Sequence, residues 1–339
     1  MKKLLGFSAV VFLFSMCSTE LDLLDDWKET TVVYGMLDQS IPKQYIRIQK
    51  AFLGPDNAYD MAQQYDSINY VNSLSVRLER LYNDGIDSVI YFMPDTVYNK
   101  EPGDFYAPMY VIYSYPQSST WFNAAYKYRI VINNASTGNE VTSTTFIVGN
   151  YAITSPNFTS IGMASNNPNY RPEIKWQSAS NASVYQLTMT FHYHEKDINN
   201  VITARTTGSW FIGEVESSSS ATNTESIKFD PNGFYRFVNN SVPDDNNVVE
   251  RVCDSLTFTV YACGQELVDY MNINGPSSSI AQERPSYTNI NNGLGVFSSR
   301  TKNSRSYTLP NQSIDSLSRG RFTCTKKFID HNGDNFGCQ

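Results

Sequence analysis

The chain has 339 residues, 41% hydrophobic and 17% charged, which is enough apolar material for two folded domains. It carries 26 Lys and Arg against 33 Asp and Glu, a formal net charge of −7, without a basic cluster. That excludes a nucleic-acid partner, because such affinity rests on neutralising phosphates with Lys and Arg.

Lys2 and Lys3 precede an apolar run from Leu4 to Met16, broken only by Gly6, Ser8 and Ser15. This is the layout of an export signal, and it is shorter than the roughly 20 residues of a permanent transmembrane helix. The run ends at Cys17, placed where a bacterial lipoprotein takes a diacylglyceryl group before its leader is cut. Ser15 suits such a cut, Met16 is bulkier than the usual Gly, Ala or Ser, and no small-x-small site for an ordinary secretory cut is visible. The reading is a signal peptide over 1–16, lipid attachment at Cys17 and an acidic tether over 17–28. Palmitate-type acyl chains, at about 0.8 kcal/mol per buried methylene, make such an anchor effectively permanent. Without the two leader lysines, 24 basic residues face 33 acidic ones, a mature net charge of −9. Four of the acids, Glu20, Asp22, Asp25 and Asp26, follow the cysteine directly.

From residue 29 to 149 the text is a succession of short alternating runs: TTVVYGML, QYIRIQKAFL, SLSVRLERL, DSVIYFM, MYVIYSYP, YKYRIVINN and EVTSTTFIV. Seven strands separated by turn residues are the count expected of an immunoglobulin-like β-sandwich. In YKYRIVI, alternation turns Tyr126, Tyr128, Ile130 and Ile132 toward a core and Lys127 and Arg129 toward water. The segment from Gly54 to Asn72 lacks alternation and reads as one short helix or an ordered loop.

Residues 150–339 read as a second β-rich, sandwich-like domain with one short helix. A strand carries Trp176, and a long one starts at Val184 with Tyr185, Leu187, Met189, Phe191 and Tyr193 on one face. Further strands are expected in ITARTTGSWFIGEV, GFYRFVNN, DSLTFTVYAC, GLGVFSSRTK and near RFTCTKKF, with a Ser-rich loop at 216–226. The helix is expected in QELVDYMNIN, packing through Leu267 and Tyr270 or Met271. Four cysteines, Cys253, Cys263, Cys324 and Cys338, allow three connectivities. Cys253 and Cys263 stand too far apart on one strand to bond each other, so cross-pairing with Cys324 or Cys338 is expected in an exported protein.

Signatures of the nucleophile elbow, P-loop, H-E-x-x-H and Gly-rich dinucleotide sites are missing, so no cofactor is indicated. His192 and His194 alternate on the water-facing side of one strand, near Glu195 and Glu214; ordinary surface alternation explains them, and no metal site is assigned. His331 lies in the polar tail DHNGDN, read as flexible and lacking the spacing of an EF-hand. The 23 tyrosines are mostly core, with those in NAYDMAQQYDSINY and FYAPMYVIYSYP as candidates for a contact surface.

Three stretches carry a resemblance. TVVYGMLDQSIPKQYIRIQKAFLG, YKYRIVINNASTGNEVTSTTFI and YTNINNGLGVFSSR resemble the uncharacterised Bacteroidetes lipoprotein family often encoded beside TonB-dependent outer-membrane transporters. Asn292 to Gly295 is the most specific part, and the family offers no catalytic residues to carry over. The resemblance implies an Ig-like first domain, a second β-rich domain and an outer-membrane location. The acidic stretch behind Cys17 is similar to the signal that sends such lipoproteins to the outer face of that membrane. The triplets at Asp66, Asp87, Asp95, Asp254 and Asp315 match the Asp-Ser/Thr-apolar acceptor of O-glycosylation in these bacteria. This nominates Ser67, Ser88, Thr96, Ser255 and Ser316, although Asx turns entering strands give the same spelling. The function expected is that of a non-catalytic, lipid-anchored binding or accessory partner of a TonB-dependent transporter in nutrient capture. A structural or adhesive surface protein is the alternative, and an enzyme ranks third.

Overall fold

The computed structural model describes residues 28–338, apart from 54–56, 71, 84, 99, 117–120, 219–222, 276–285 and 336. The expected leader over 1–16 and lipid attachment at Cys17 lie outside the described residues. The fold is mostly β.

Each of the first seven alternating runs forms a strand: β1 (Lys28–Leu37), β2 (Lys43–Leu53), β3 (Leu74–Tyr82), β4 (Gly85–Val97), β5 (Tyr110–Pro116), β6 (Lys127–Asn134) and β7 (Glu140–Phe146). Between β2 and β3 lie two short helices, α1 (Ala58–Ala62) and α2 (Tyr65–Ile68). All pairings among these strands are antiparallel. β1, β2, β5 and β4 from Met93 onward make one sheet, and β4 up to Phe92 pairs with β3, which continues to β6 and β7. β4 therefore passes from one sheet to the other. Period-two alternation sends Val33, Ile46 and Ile48 into the same core as Val76, Leu78, Tyr128, Ile130 and Ile132. Tyr126 is only partly buried against that core.

The second half contributes β8 (Ile153–Ser155), β9 (Glu173–Gln177), β10 (Val184–Asp197), β11 (Ile202–Thr206), β12 (Trp210–Glu216) and β13 (Thr224–Lys228). It continues with α3 (Pro231–Ser241), β14 (Val248–Cys263), α4 (Gln265–Asn274), β15 (Gly293–Tyr307) and α5 (Asn311–Arg319). β10 pairs along its length with β14 and also takes β11 and β12, while β13, β9 and β8 form a small separate sheet. The apolar face of β10 is buried as its alternation requires, together with Trp176 of β9, Phe234 and Val238 of α3, and Leu317 of α5.

β15 joins the two halves. Its first residues run parallel to β1, from Thr31 opposite Gly293 to Leu37 opposite Ser299, and its last pair antiparallel with β14 from Arg300 to Tyr307. Ile290 and Phe297 enter the core of the first seven strands. The chain thus recrosses the division at 149/150 and lends residues near 290–299 to the first unit. Thr142 of β7 meets Asn291 in an isolated bridge, which brings the far end of that unit back toward β1. Gly295 sits at φ +107°, and a Cβ there would lie 2.1 Å from the Val33 carbonyl oxygen, so the run Asn292 to Gly295 is set by backbone contact.

Four local expectations change. GFYRFVNN is helix α3, because Asp230 caps the Asn232 N–H, Pro231 suits the first turn, and Phe234, Tyr235 and Val238 fall on one buried face. The stretch near RFTCTKKF is a 3₁₀ turn over Cys324–Lys326, with Phe328 alone bridging to Arg251. The Ser-rich loop gives way to β13 at Thr224. In α4 the buried residue is Val268: Ser298 Oγ accepts the Leu267 N–H and donates to Glu266, which fixes the helix rotation one residue on.

The cysteines pair differently from the expected cross-pairing. Cys324 bonds Cys338 across a separation of 14 residues, with Cα atoms 4.8 Å apart, while Cys253 and Cys263 are free thiols. They mark the two ends of a stretch spanning roughly 33 Å of strand, which keeps them from each other. Burial pushes the thiols up to about 12 and about 11 respectively, leaving both protonated and inert.

Candidate functional site

The two strand histidines are spent on the sheet's own surface. His192 places Nδ1 3.1 Å from Thr206 Oγ1 and Nε2 2.9 Å from Thr257 Oγ1, and Thr257 reaches Ser306 at 2.8 Å. His194 Nδ1 lies 2.8 Å from Asp254. Both nitrogens of His192 are therefore committed to hydroxyls across neighbouring strands, not aimed with His194 at a shared ion.

A cluster of Asp315, Asp330 and His331 has ligand atoms within 4.8 Å of one another. Its geometry answers to internal bonds: Asp330 Oδ1 accepts the N–H groups of Asn332 and Asp334, and Oδ2 meets the Arg319 guanidinium. His331 Nδ1 is 2.6 Å from Asp315. The tail read as flexible is thus folded against the second unit.

Cys17 lies outside the described residues. The five acceptor candidates are scattered: Ser67 on α2, Ser88 and Thr96 on β4, Ser255 on β14 and Ser316 on α5, each half-buried. Ser88 accepts the Trp121 indole N–H at 3.1 Å, and Ser316 donates to the Gln312 carbonyl at 2.9 Å. Four of the adjoining aspartates hold a basic side chain: Asp87 with Arg80, Asp95 with Lys43, Asp254 with His194 and Asp315 with His331. The Lys43 hydrogen bond holds the Asp95 carboxyl below the usual range, and the His331 hydrogen bond does the same for Asp315.

Two features that sequence reading passed over stand out. The first is the outward side of β4, where Val89, Tyr91 and Met93 alternate at 37%, 58% and 64% exposure. Tyr91 stands opposite Arg77 on β3. Beside it the Glu79 carboxylate, 2% exposed, accepts Arg77 Nε at 2.9 Å and Arg129 Nε at 2.6 Å. The strip is therefore an apolar row on a sheet whose neighbouring charges are locked to one another. Its signal was visible in DSVIYFM, where Val89, Tyr91 and Met93 alternate with Ile90 and Phe92, so both faces of the strand are apolar.

The second is a cavity of about 270 Å³ in the second unit, between the 163–171 loop, the start of α3 and the turn after α5. Arg171 and Arg321 are its charged lining residues, with Tyr170, Tyr235 and Phe322 as aromatic walls. Burial pushes the Tyr170 and Tyr235 phenols up, so both stay protonated donors, to the carbonyls of Gly162 at 3.1 Å and Ser313 at 3.3 Å. Arg171 and Arg321 lie too far apart in the sequence for any spacing rule to join them.

No protein-family model matches the chain, and no curated protein matches it in sequence. Among solved structures, the C-terminal globular domain of an oligosaccharyltransferase from Pyrococcus abyssi is similar over 60% of this chain and 39% of that one. The identity is 11% and the TM-score 0.20, a likeness that carries no argument.

Proposed function

We propose that the protein is a lipid-anchored outer-membrane lipoprotein, attached through Cys17, that serves as a non-catalytic binding partner of a TonB-dependent transporter in nutrient capture. The observation that carries this reading is the exposed row of Val89, Tyr91 and Met93 on β4. Aromatic, Met and Arg side chains are enriched at protein interfaces and Lys is depleted, and a flat row of this kind offers contact area at low entropic cost. The locked Arg77, Glu79 and Arg129 set supports it, since charges already paired need little rearrangement when a partner covers them. The short tether supports it as well: from Cys17 to Lys28 the chain reaches at most about 40 Å fully extended. The folded body is thereby kept within reach of a barrel in the same membrane.

The test is purification of the acylated protein from detergent-solubilised outer membranes. A transporter barrel is expected to come with it, and a Tyr91→Ser, Met93→Ser double variant is expected to retain roughly a tenth as much or less, the effect of losing about 1.4 kcal/mol. Recovery of the acylated chain alone would overturn the reading. Assembly of the chain into polymers without a barrel would favour the structural or adhesive alternative.

A further inference from the structure

We infer that the cavity between the 163–171 loop, α3 and the turn after α5 binds a small hydroxyl-rich carboxylate, an acidic monosaccharide in size and chemistry. This goes beyond the transporter reading, because it concerns a different surface and needs only the folded chain. The volume of about 270 Å³ is at the lower end of small-molecule sites, which suits one sugar-sized ring and excludes an extended chain lying wholly inside.

Charge selects the ligand's sign. In a protein of net charge −7, none of the fifteen residues lining this cavity is acidic, and two are arginines. The carboxylates next in sequence to lining residues are already partnered: Asp230 accepts the Asn232 backbone and side-chain amides at 3.1 Å, and Asp315 is held by His331. Arg171 is oriented by its own loop, with one terminal nitrogen donating to the carbonyls of Pro168 at 3.2 Å and Tyr170 at 2.7 Å. Arg321 lies over the Phe322 ring at 4.7 Å, and among the described residues no carboxylate pairs with it. A planar guanidinium with free donors is suited to a carboxylate, which it can meet through two parallel hydrogen bonds.

The remaining lining selects for a ring bearing hydroxyls. Tyr170 and Phe322 offer apolar faces against which the C–H face of a sugar can pack. Asn232 commits its backbone N–H and one side-chain N–H to Asp230, which leaves its second side-chain N–H and its side-chain oxygen as partners for a hydroxyl. Tyr170 and Tyr235 have their own hydroxyls tied to backbone carbonyls, so the walls are fixed before a ligand arrives.

The test titrates the detergent-purified full chain with galacturonate, galactose and inorganic phosphate, read by calorimetry and by chemical-shift changes. Galacturonate is expected to bind with a Kd of about 1 mM or tighter. Arg321→Ala and, separately, Arg171→Gln are expected to weaken it tenfold or more with an unchanged melting temperature, and galactose is expected to bind at least tenfold more weakly. Lack of galacturonate binding by a natively melting protein overturns the inference. Equal binding of galactose, or binding indifferent to both arginine variants, overturns it too. Phosphate binding as tightly as galacturonate, with the same arginine dependence, would make the site one for simple anions and contradict the saccharide assignment.

Discussion

Asp330 has its side chain out of water, yet its carboxylate is engaged on both oxygens. The Asp334 backbone N–H, and with it Arg319 and the Asn332 N–H, hold the carboxyl below the usual range against the opposing effect of burial. A lowered folded value contributes stability above the ordinary carboxylate value of about 4, and that contribution is lost as pH falls through the folded value. Glu225 behaves alike: burial pushes it up, and donors from Ser218 and Ser178 outweigh that and lower it. The melting temperature is therefore expected to drop once pH falls below about 4. Asp330→Asn is expected to lower it by a few degrees at pH 7 and to make the acid limb shallower, as scanning calorimetry across pH 3–8 would show. An acid limb unchanged in the variant would contradict this account. None of this was legible in DHNGDN, where the polar letters read as a flexible tail. The folding of that tail depends on Arg319 and on the bond from Cys324 to Cys338, partners that composition alone does not reveal.

Alternation made the strands readable wherever one face meets a core and the other water. The buried face of β10 follows it residue by residue, and the runs of the first unit follow it with exceptions such as Val131, buried between Ile130 and Ile132. It fails at GFYRFVNN, where the aromatic residues invite a strand and the capping pair Asp230–Pro231 decides for a helix. The Asn292–Gly295 run was recognisable as specific in the sequence, and its cause is a contact with β1 that only the parallel pairing creates. Gly295→Ala places a Cβ against the Val33 carbonyl and a side chain at a positive φ, which alone costs about 1–3 kcal/mol. A loss of at least about 2 kcal/mol is expected in urea denaturation, because the clash adds to that strain. A change within about 0.5 kcal/mol would show that β1 and β15 are not held in this register.

At the scale of the whole molecule, two cores share one strand. Residues 28–149 alone would lack Ile290 and Phe297 and would leave β1 as a bare edge where β15 now pairs. That fragment is expected to melt without a cooperative transition, while the full chain unfolds cooperatively, as circular dichroism would record. A fragment melting sharply near the full chain's temperature would contradict the shared-core account. The cavity was invisible in the sequence for the same reason, since its arginines are brought together only by the packing of α3 and α5 on the second unit. In the proposed function, the lipid at Cys17 holds an interaction surface on β4 against an outer-membrane transporter. A photo-crosslinking residue in place of Tyr91, activated in intact cells, tests it most directly. An adduct with a transporter barrel that disappears in the Cys17→Ala variant is the expected result; absence of a barrel adduct, or an adduct formed equally without Cys17, would overturn the proposal.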